Sequence, residues 1–127
     1  MIYLQESFIT ISWDEASKTI IAEWKGFASL PKMQLALEKG LELIQQKKAT
    51  KWLGDTSNLA PFGHEASNWI VNDWIPRAKA AGLKSIAYVI PKSALTRMAL
   101  GNGVPTTNMD SAFFDSQEAA KAWLRSC

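Results

Sequence analysis

Apolar and polar residues alternate in two early segments. Ile9, Ile11 and Trp13 alternate with Thr10 and Ser12; Ile20, Ala22 and Trp24 alternate with Thr19, Ile21 and Glu23. A period of two places successive side chains on opposite faces of a strand. Residues 8–13 and 19–24 therefore read as two strands, joined into a hairpin by the polar residues 14–18. Half-polar alternation suits the edge of a sheet more than its centre.

The period then changes. Leu30, Met33, Leu37, Leu41 and Ile44 recur at helical spacing, with Glu38, Lys39, Glu42 and Gln46 opposite. Pro31 sits near the helix start, where its missing N–H costs nothing. Gly40 borders the apolar stripe, where it lets the helix approach a strand closely, and Leu35 and Leu43 fall off it. Residues 51–55 read as a short strand and 56–63 as a loop. A second helix is expected over 64–81, ended by Gly82, with a kink or break at Pro76. Residues 85–90 are almost continuously apolar, as in a central parallel strand covered on both faces. A short helix over 93–100, a loop over 101–108, a strand over 112–114 and a helix to Arg125 complete the chain. Asp115 is the expected cap of that last helix, with Glu118 as its capping-box partner.

Repeated strand–helix alternation implies right-handed crossovers. The expected fold is α/β: one domain over residues 1–127, with a mostly parallel five-stranded sheet, an antiparallel N-terminal edge hairpin and four helices.

Composition narrows the function classes. The 127 residues include one Cys and one His, too few for a disulfide framework or a Cys/His zinc site. No cofactor or metal is expected. Fourteen basic against twelve acidic residues leave a net charge of +2, which creates no field to gather nucleic acid. Lys47, Lys48 and Lys51 are the densest basic cluster, and lysines at a helix end suit its dipole. The N-terminus lacks a basic region followed by an apolar core, and no stretch is long enough to span a membrane. With a single thiol, Cys127, at the chain end, a cytoplasmic protein is expected.

Several short blocks resemble a known family: Trp24-Lys25-Gly26-Phe27, Lys51-Trp52-Leu53-Gly54-Asp55, Asn72-Asp73-Trp74-Ile75-Pro76-Arg77-Ala78 with Gly82-Leu83-Lys84, and Phe114-Asp115-Ser116 leading to Ala119 and Trp123-Leu124. Together they resemble small bacterial proteins of the STAS-like, or SpoIIAA-like, group. The resemblance implies a βα superhelix whose first strand is antiparallel. Better-known members of that fold are anti-sigma-factor antagonists, switched by phosphorylation of a serine in an Asp-Ser-Ser-Gly motif after the third strand. Asp55-Thr56-Ser57-Asn58 is the equivalent stretch, so the resemblance makes Ser57 a phospho-switch candidate, with Asp55 and Thr56 beside it. Two departures stand out: Asn58 replaces the glycine, and residues 59–63 separate the motif from its helix. The local alternative is a turn stabilised by Asp or Ser side chains.

Other chemistry is sparse. His64 and Glu65 are adjacent and would point about 100° apart on a helix. No serine lies in a nucleophile-elbow motif, so no catalytic residue is assigned. Gly101-Asn102-Gly103 lacks the lysine and the preceding strand of a phosphate loop. Of the six Trp, Trp13, Trp24 and Trp52 fall on strands, and Trp74 and Trp123 on packing faces of helices. Trp69 falls among Glu65, Asn72 and Asp73, away from the core face, and Ile75 also lies to one side. Trp69, Leu35, Leu43 and Ile75 are thus the candidate interface residues. The expected function is a non-enzymatic protein-interaction or regulatory domain, acting as a homodimer or with an unidentified protein partner. The alternative is a small apolar-ligand or lipid carrier of CRAL-TRIO-like type.

Overall fold

The computed structural model describes residues 2–59, 64–91 and 110–127, with the backbone alone for His64 and Asp110. One six-stranded sheet runs β1 (Ile2–Glu6), β2 (Ile9–Asp14), β3 (Thr19–Gly26), β4 (Lys51–Leu59), β5 (Ser85–Val89) and β6 (Asp110–Phe114), in that spatial order. The β1–β2 and β2–β3 pairs are antiparallel and the other three are parallel, so β2 alone runs against the rest. The α/β class and the N-terminal hairpin are as expected. The sheet gains a sixth strand, because β1 pairs outside β2 and moves the hairpin in from the edge. Its residues are exposed except for half-buried Tyr3 and Leu4, so its alternation is too weak to read as a strand. The helix expected over 93–100 and the 101–108 loop lie outside the described residues.

Strand alternation divides the core in two. Ile9, Ile11, Trp13, Ile20, Trp24 and Trp52 belong to the larger core, which also takes in residues of the first two helical segments. Ile21, Leu53, Ala87 and Val89 face the other side, under α4 (Gln117–Arg125) with Ala120 and Leu124. The cap of α4 is Ser116, whose hydroxyl accepts the Ala119 N–H at 3.2 Å, one residue beyond the expected Asp115.

The helix α1 (Leu30–Lys47) buries Met33, Ala36, Leu37, Gly40, Leu43 and Ile44. That face is centred on Gly40 rather than on Leu37 and Leu41. The cause is a close approach: a Cβ at Gly40 would lie 2.4 Å from Cη2 and 2.9 Å from Cζ3 of Trp52. With only hydrogen at that position, α1 settles onto the Trp52 indole, turning Leu43 inward and leaving Leu41 half-buried.

The helix expected over 64–81 forms in three pieces: α2 (His64–Trp69), a π-helical turn (Ile70–Trp74) and α3 (Ile75–Ala80). Pro76 explains the interruption. It has no N–H to offer the Asn72 carbonyl, and in a regular helix its ring would clash with that group. The wider turn, in which the Ile75 N–H donates to the Ile70 carbonyl, relieves both problems. It leaves Pro76 in the first turn of α3, where proline is tolerated. The extra residue in the turn also rotates everything after it by roughly 100°.

Replacing Gly40 with Ala should gain about 1 kcal/mol of helix propensity. Against that stands overpacking on a rigid indole, about 1–3 kcal/mol and here at the upper end, given the 2.4 Å approach. Gly40→Ala should therefore lower the urea midpoint, and adding Trp52→Phe should restore part of the loss beyond additivity. Additive losses would show that the ring and the glycine do not meet.

Candidate functional site

The switch-candidate motif is part of a strand. β4 continues through Leu59, pairing Lys25 with Asn58 and Gly26 with Leu59 after a bulge between the Glu23–Asp55 and Lys25–Asn58 pairs. The expected loop thus begins later than residue 56. Its polar residues are absorbed by the bulge: Asp55 Oδ1 accepts the Ser57 backbone N–H at 3.0 Å and the Ser57 hydroxyl at 2.6 Å. This is the side-chain-stabilised turn that Asp and Ser favour. Thr56 donates its hydroxyl to the Val89 carbonyl at 3.1 Å, tying β4 to β5. Asp55 is buried, and its other oxygen accepts from Gln117 Nε2 at 2.7 Å. The same Gln117 nitrogen reaches Glu23 at 3.0 Å, so two carboxylates are bridged to the start of α4. The bonds to Asp55 and Glu23 satisfy a buried and a bridging carboxylate, and with the Thr56 tie the arrangement is a structural clasp.

The interface candidates separate. Leu43 is 0 % exposed and Ile75 is 4 % exposed, so both belong to the core and neither offers a surface. Leu43 turns inward with the Gly40-centred face of α1. Ile75 is carried onto the core side by the π turn. Leu35 remains 55 % exposed, as expected from its position off the stripe. Trp69 is half-buried, packs against the larger core, and lies under the Arg77 guanidinium, 5.9 Å from the ring centre. Arg77 also makes a bidentate pair with Glu38 of α1 and bonds Asp73 at 3.0 Å. Its hydrogen bonds hold the Glu38 carboxyl below the usual carboxylate range. Much of Trp69 is thereby accounted for by an α1–α3 clamp. Phe27, 67 % exposed, was not singled out by the sequence pattern.

A cavity of about 230 Å³ opens between the sheet and the helices of the larger core. Trp24, Trp52, Gly54, Ile86, Tyr88 and Phe113 form its floor. Met33 and Leu37 of α1 form one wall. Ile70, Val71, Trp74 and Ile75 form a roof that exists because the π turn brings them to one side. Thr56 and Ser67 add hydroxyls, and among the described residues no charged side chain lines the space. Trp74 braces the roof: its indole N–H donates to the Leu37 carbonyl at 2.8 Å, and its ring meets Trp52 edge-on at 5.0 Å. Tyr88 stacks on Phe113 at 4.9 Å. Burial pushes the Tyr88 phenol up to about 12.

These residues escaped the sequence pattern for identifiable reasons. Tyr88 sits inside a continuous apolar run, and only the rule that a buried phenol needs a partner marks it out. Gly54 sits inside a strand, where glycine signals close approach or open space. Ile70 and Val71 read simply as core.

The cavity abuts the carboxyl-terminal half of β4 and β5, where open α/β sheets hold ligands. Among the described residues, no group of three His, Cys, Asp or Glu side chains stands together to hold a metal. None of their helices is long and apolar enough to cross a membrane.

No family model matches the chain, and no curated protein matches its sequence. Solved structures do match it in shape. The unphosphorylated form of the anti-sigma factor antagonist SpoIIAA superposes with a TM-score of 0.64 at 13% identity, over 94% of this chain and 99% of that one. An uncharacterised protein of the DUF3478 family with a SpoIIAA-like fold, from Shewanella loihica, gives 0.54 at 20% identity, over 95% and 98%. The chain has the STAS-like, SpoIIAA-like fold, in agreement with the resemblance of its short sequence blocks.

The enclosed phenol makes a pH prediction. Its folded-state value lies above the ordinary 10.0, so its contribution to stability is complete below about pH 10. It is lost as the pH rises towards about 12, because the unfolded chain ionises first. Wild-type stability, followed by urea midpoint, should fall more steeply across that window than that of Tyr88→Phe. Parallel curves would place the phenol in water.

Proposed function

We propose that this chain is a non-enzymatic binding domain of the STAS type that takes a small, uncharged apolar molecule into the cavity beneath the π turn. The observation that carries the reading is the cavity itself. Protein interiors pack to crystal-like density, and an open space of this size in a small core forfeits dispersion contacts that an occupant would restore. Pre-formed apolar pockets with a few placed polar groups are the usual form of small-ligand sites. The π turn strengthens the reading, since such turns concentrate at functional sites. The buried carboxylate nearest the site, Asp55, is engaged by Ser57 and Gln117 and holds structure rather than reacting.

A second reading has its own support. SpoIIAA is an anti-sigma factor antagonist, a protein that acts on another protein. Exposed Leu35 and Phe27 are apolar surface on which a partner or a second copy of this chain would dock. In this reading Ser57 is the control point. A phosphate there would add roughly two negative charges beside Asp55, and their repulsion would loosen the clasp to Gln117 and α4. Docking of a second copy requires a homodimer in the high micromolar range by light scattering, and a monomer removes that part of the reading.

For the ligand reading, native mass spectrometry of freshly purified protein should show a neutral adduct that disappears on denaturation. Filling the cavity from its floor with Gly54→Val should abolish the adduct while leaving the chain folded. An adduct retained undiminished by that variant would place the ligand elsewhere. A bare mass, together with no thermal shift from any one- or two-ring aromatic compound, would count against the reading.

A further inference from the structure

The cavity's lining also specifies a ligand class; this step rests on the ligand reading above. Its aromatic faces are contributed by Trp24, Trp52, Trp74, Tyr88 and Phe113, and among the described residues it carries no charged side chain. Flat rings suit such walls, because aromatic groups gain from stacked and edge-on contacts beyond simple burial. An ion would be left without compensation.

Size sets a bound. An apolar cavity of about 150 Å³ accepts benzene, with six non-hydrogen atoms. At the same density, the 230 Å³ here takes roughly nine or ten, a two-ring system.

Polarity supplies the remaining constraint. Two donor groups on the floor make no hydrogen bond among the described residues: the Trp52 indole N–H and the Tyr88 hydroxyl. The indole N–H can only donate. Their two rings flank Gly54. A Cβ there would stand 3.4 Å from Trp52 Nε1 and 3.9 Å from the ring carbon Cδ1 of Tyr88, so the glycine keeps open the space beside the indole N–H and the edge of the phenol ring. By contrast, the Trp74 N–H is satisfied by Leu37, and the Thr56 hydroxyl by Val89. Unpaired donors in an apolar site discriminate strongly against ligands that cannot accept.

From this we infer that the site selects a neutral, flat, two-ring aromatic molecule bearing a hydrogen-bond acceptor, and that Tyr88 is the residue that reads the acceptor. Trp52 forms the wall beside it, and Gly54 provides room for the acceptor atom.

Naphthalene and quinoline test this directly, since they share shape and differ by one ring nitrogen. The full chain is titrated with each at neutral pH, and the six tryptophan indole N–H signals are followed by NMR. Both compounds should bind saturably, quinoline about three- to tenfold more tightly. Quinoline should also shift the Trp52 N–H signal more than naphthalene does. Tyr88→Phe should bring quinoline down to the naphthalene level and leave naphthalene unchanged. Gly54→Val should abolish both. Equal binding of the two compounds, or a quinoline preference that survives Tyr88→Phe, overturns the selectivity while leaving the ligand reading in place. No saturable binding of either compound, or binding undiminished by Gly54→Val, removes the ligand reading itself. The comparison within the wild-type protein needs no variant to fold.

Discussion

The contact between Gly40 and Trp52 sets the spacing of the two layers. An indole this large under a helix would normally hold it away from the sheet. The missing side chain at Gly40 lets α1 descend onto the ring, and the face that α1 buries is centred where that descent is deepest. Leu43 moves into the core in consequence. Trp52 also meets Trp74 edge-on, and Trp74 donates to the Leu37 carbonyl of the same helix. Sheet, α1 and the second helical segment are thus joined around one indole. The space beside that indole, over Gly54 and Tyr88, is where the layers do not close.

Pro76 shapes the other side of that space. A regular helix cannot accommodate it in mid-course, and the π turn moves it to the first turn of a new helix. The same extra residue turns Ile75 towards the sheet, so one proline both interrupts the helix and completes the roof over the cavity. Arg77 then pins the new helix to α1 through Glu38 and packs over Trp69. A local backbone conflict has been converted into a pocket wall. Among the described residues, the opposite face of the sheet has no counterpart to this arrangement. There α4 packs directly on Leu53, Ala87 and Val89, and the clasp of Asp55, Ser57 and Gln117 ties its start to β4.

Periodicity made most of the fold legible. The hairpin, the parallel strands, α1 and α4 all follow from spacings of two or of three and four residues. The close approach at Gly40 was also visible, because a glycine beside an apolar stripe has few other uses. β1 was not, since an edge strand exposed on most of its length needs little alternation. The register after Pro76 was hidden because a break and a π turn look alike in sequence yet rotate later residues differently. Ile75 was misplaced for that last reason, and Leu43 because the depth of the approach at Gly40 recentres the buried face of α1. The candidate site was least legible. A cavity is defined by what is absent between elements far apart in sequence, and no spacing along one chain encodes it. Only Gly54 inside a strand and Tyr88 inside an apolar run carried a trace of it.

A crystal structure of the purified protein under xenon pressure tests the central claim most directly, since xenon enters open apolar cavities without chemical recognition. The account predicts a xenon site bounded by Trp52, Tyr88 and Ile70, with the π turn intact and α1 still resting on Trp52 at Gly40. A helix layer collapsed onto Gly54, with side chains filling the space and no xenon between the layers, would contradict it.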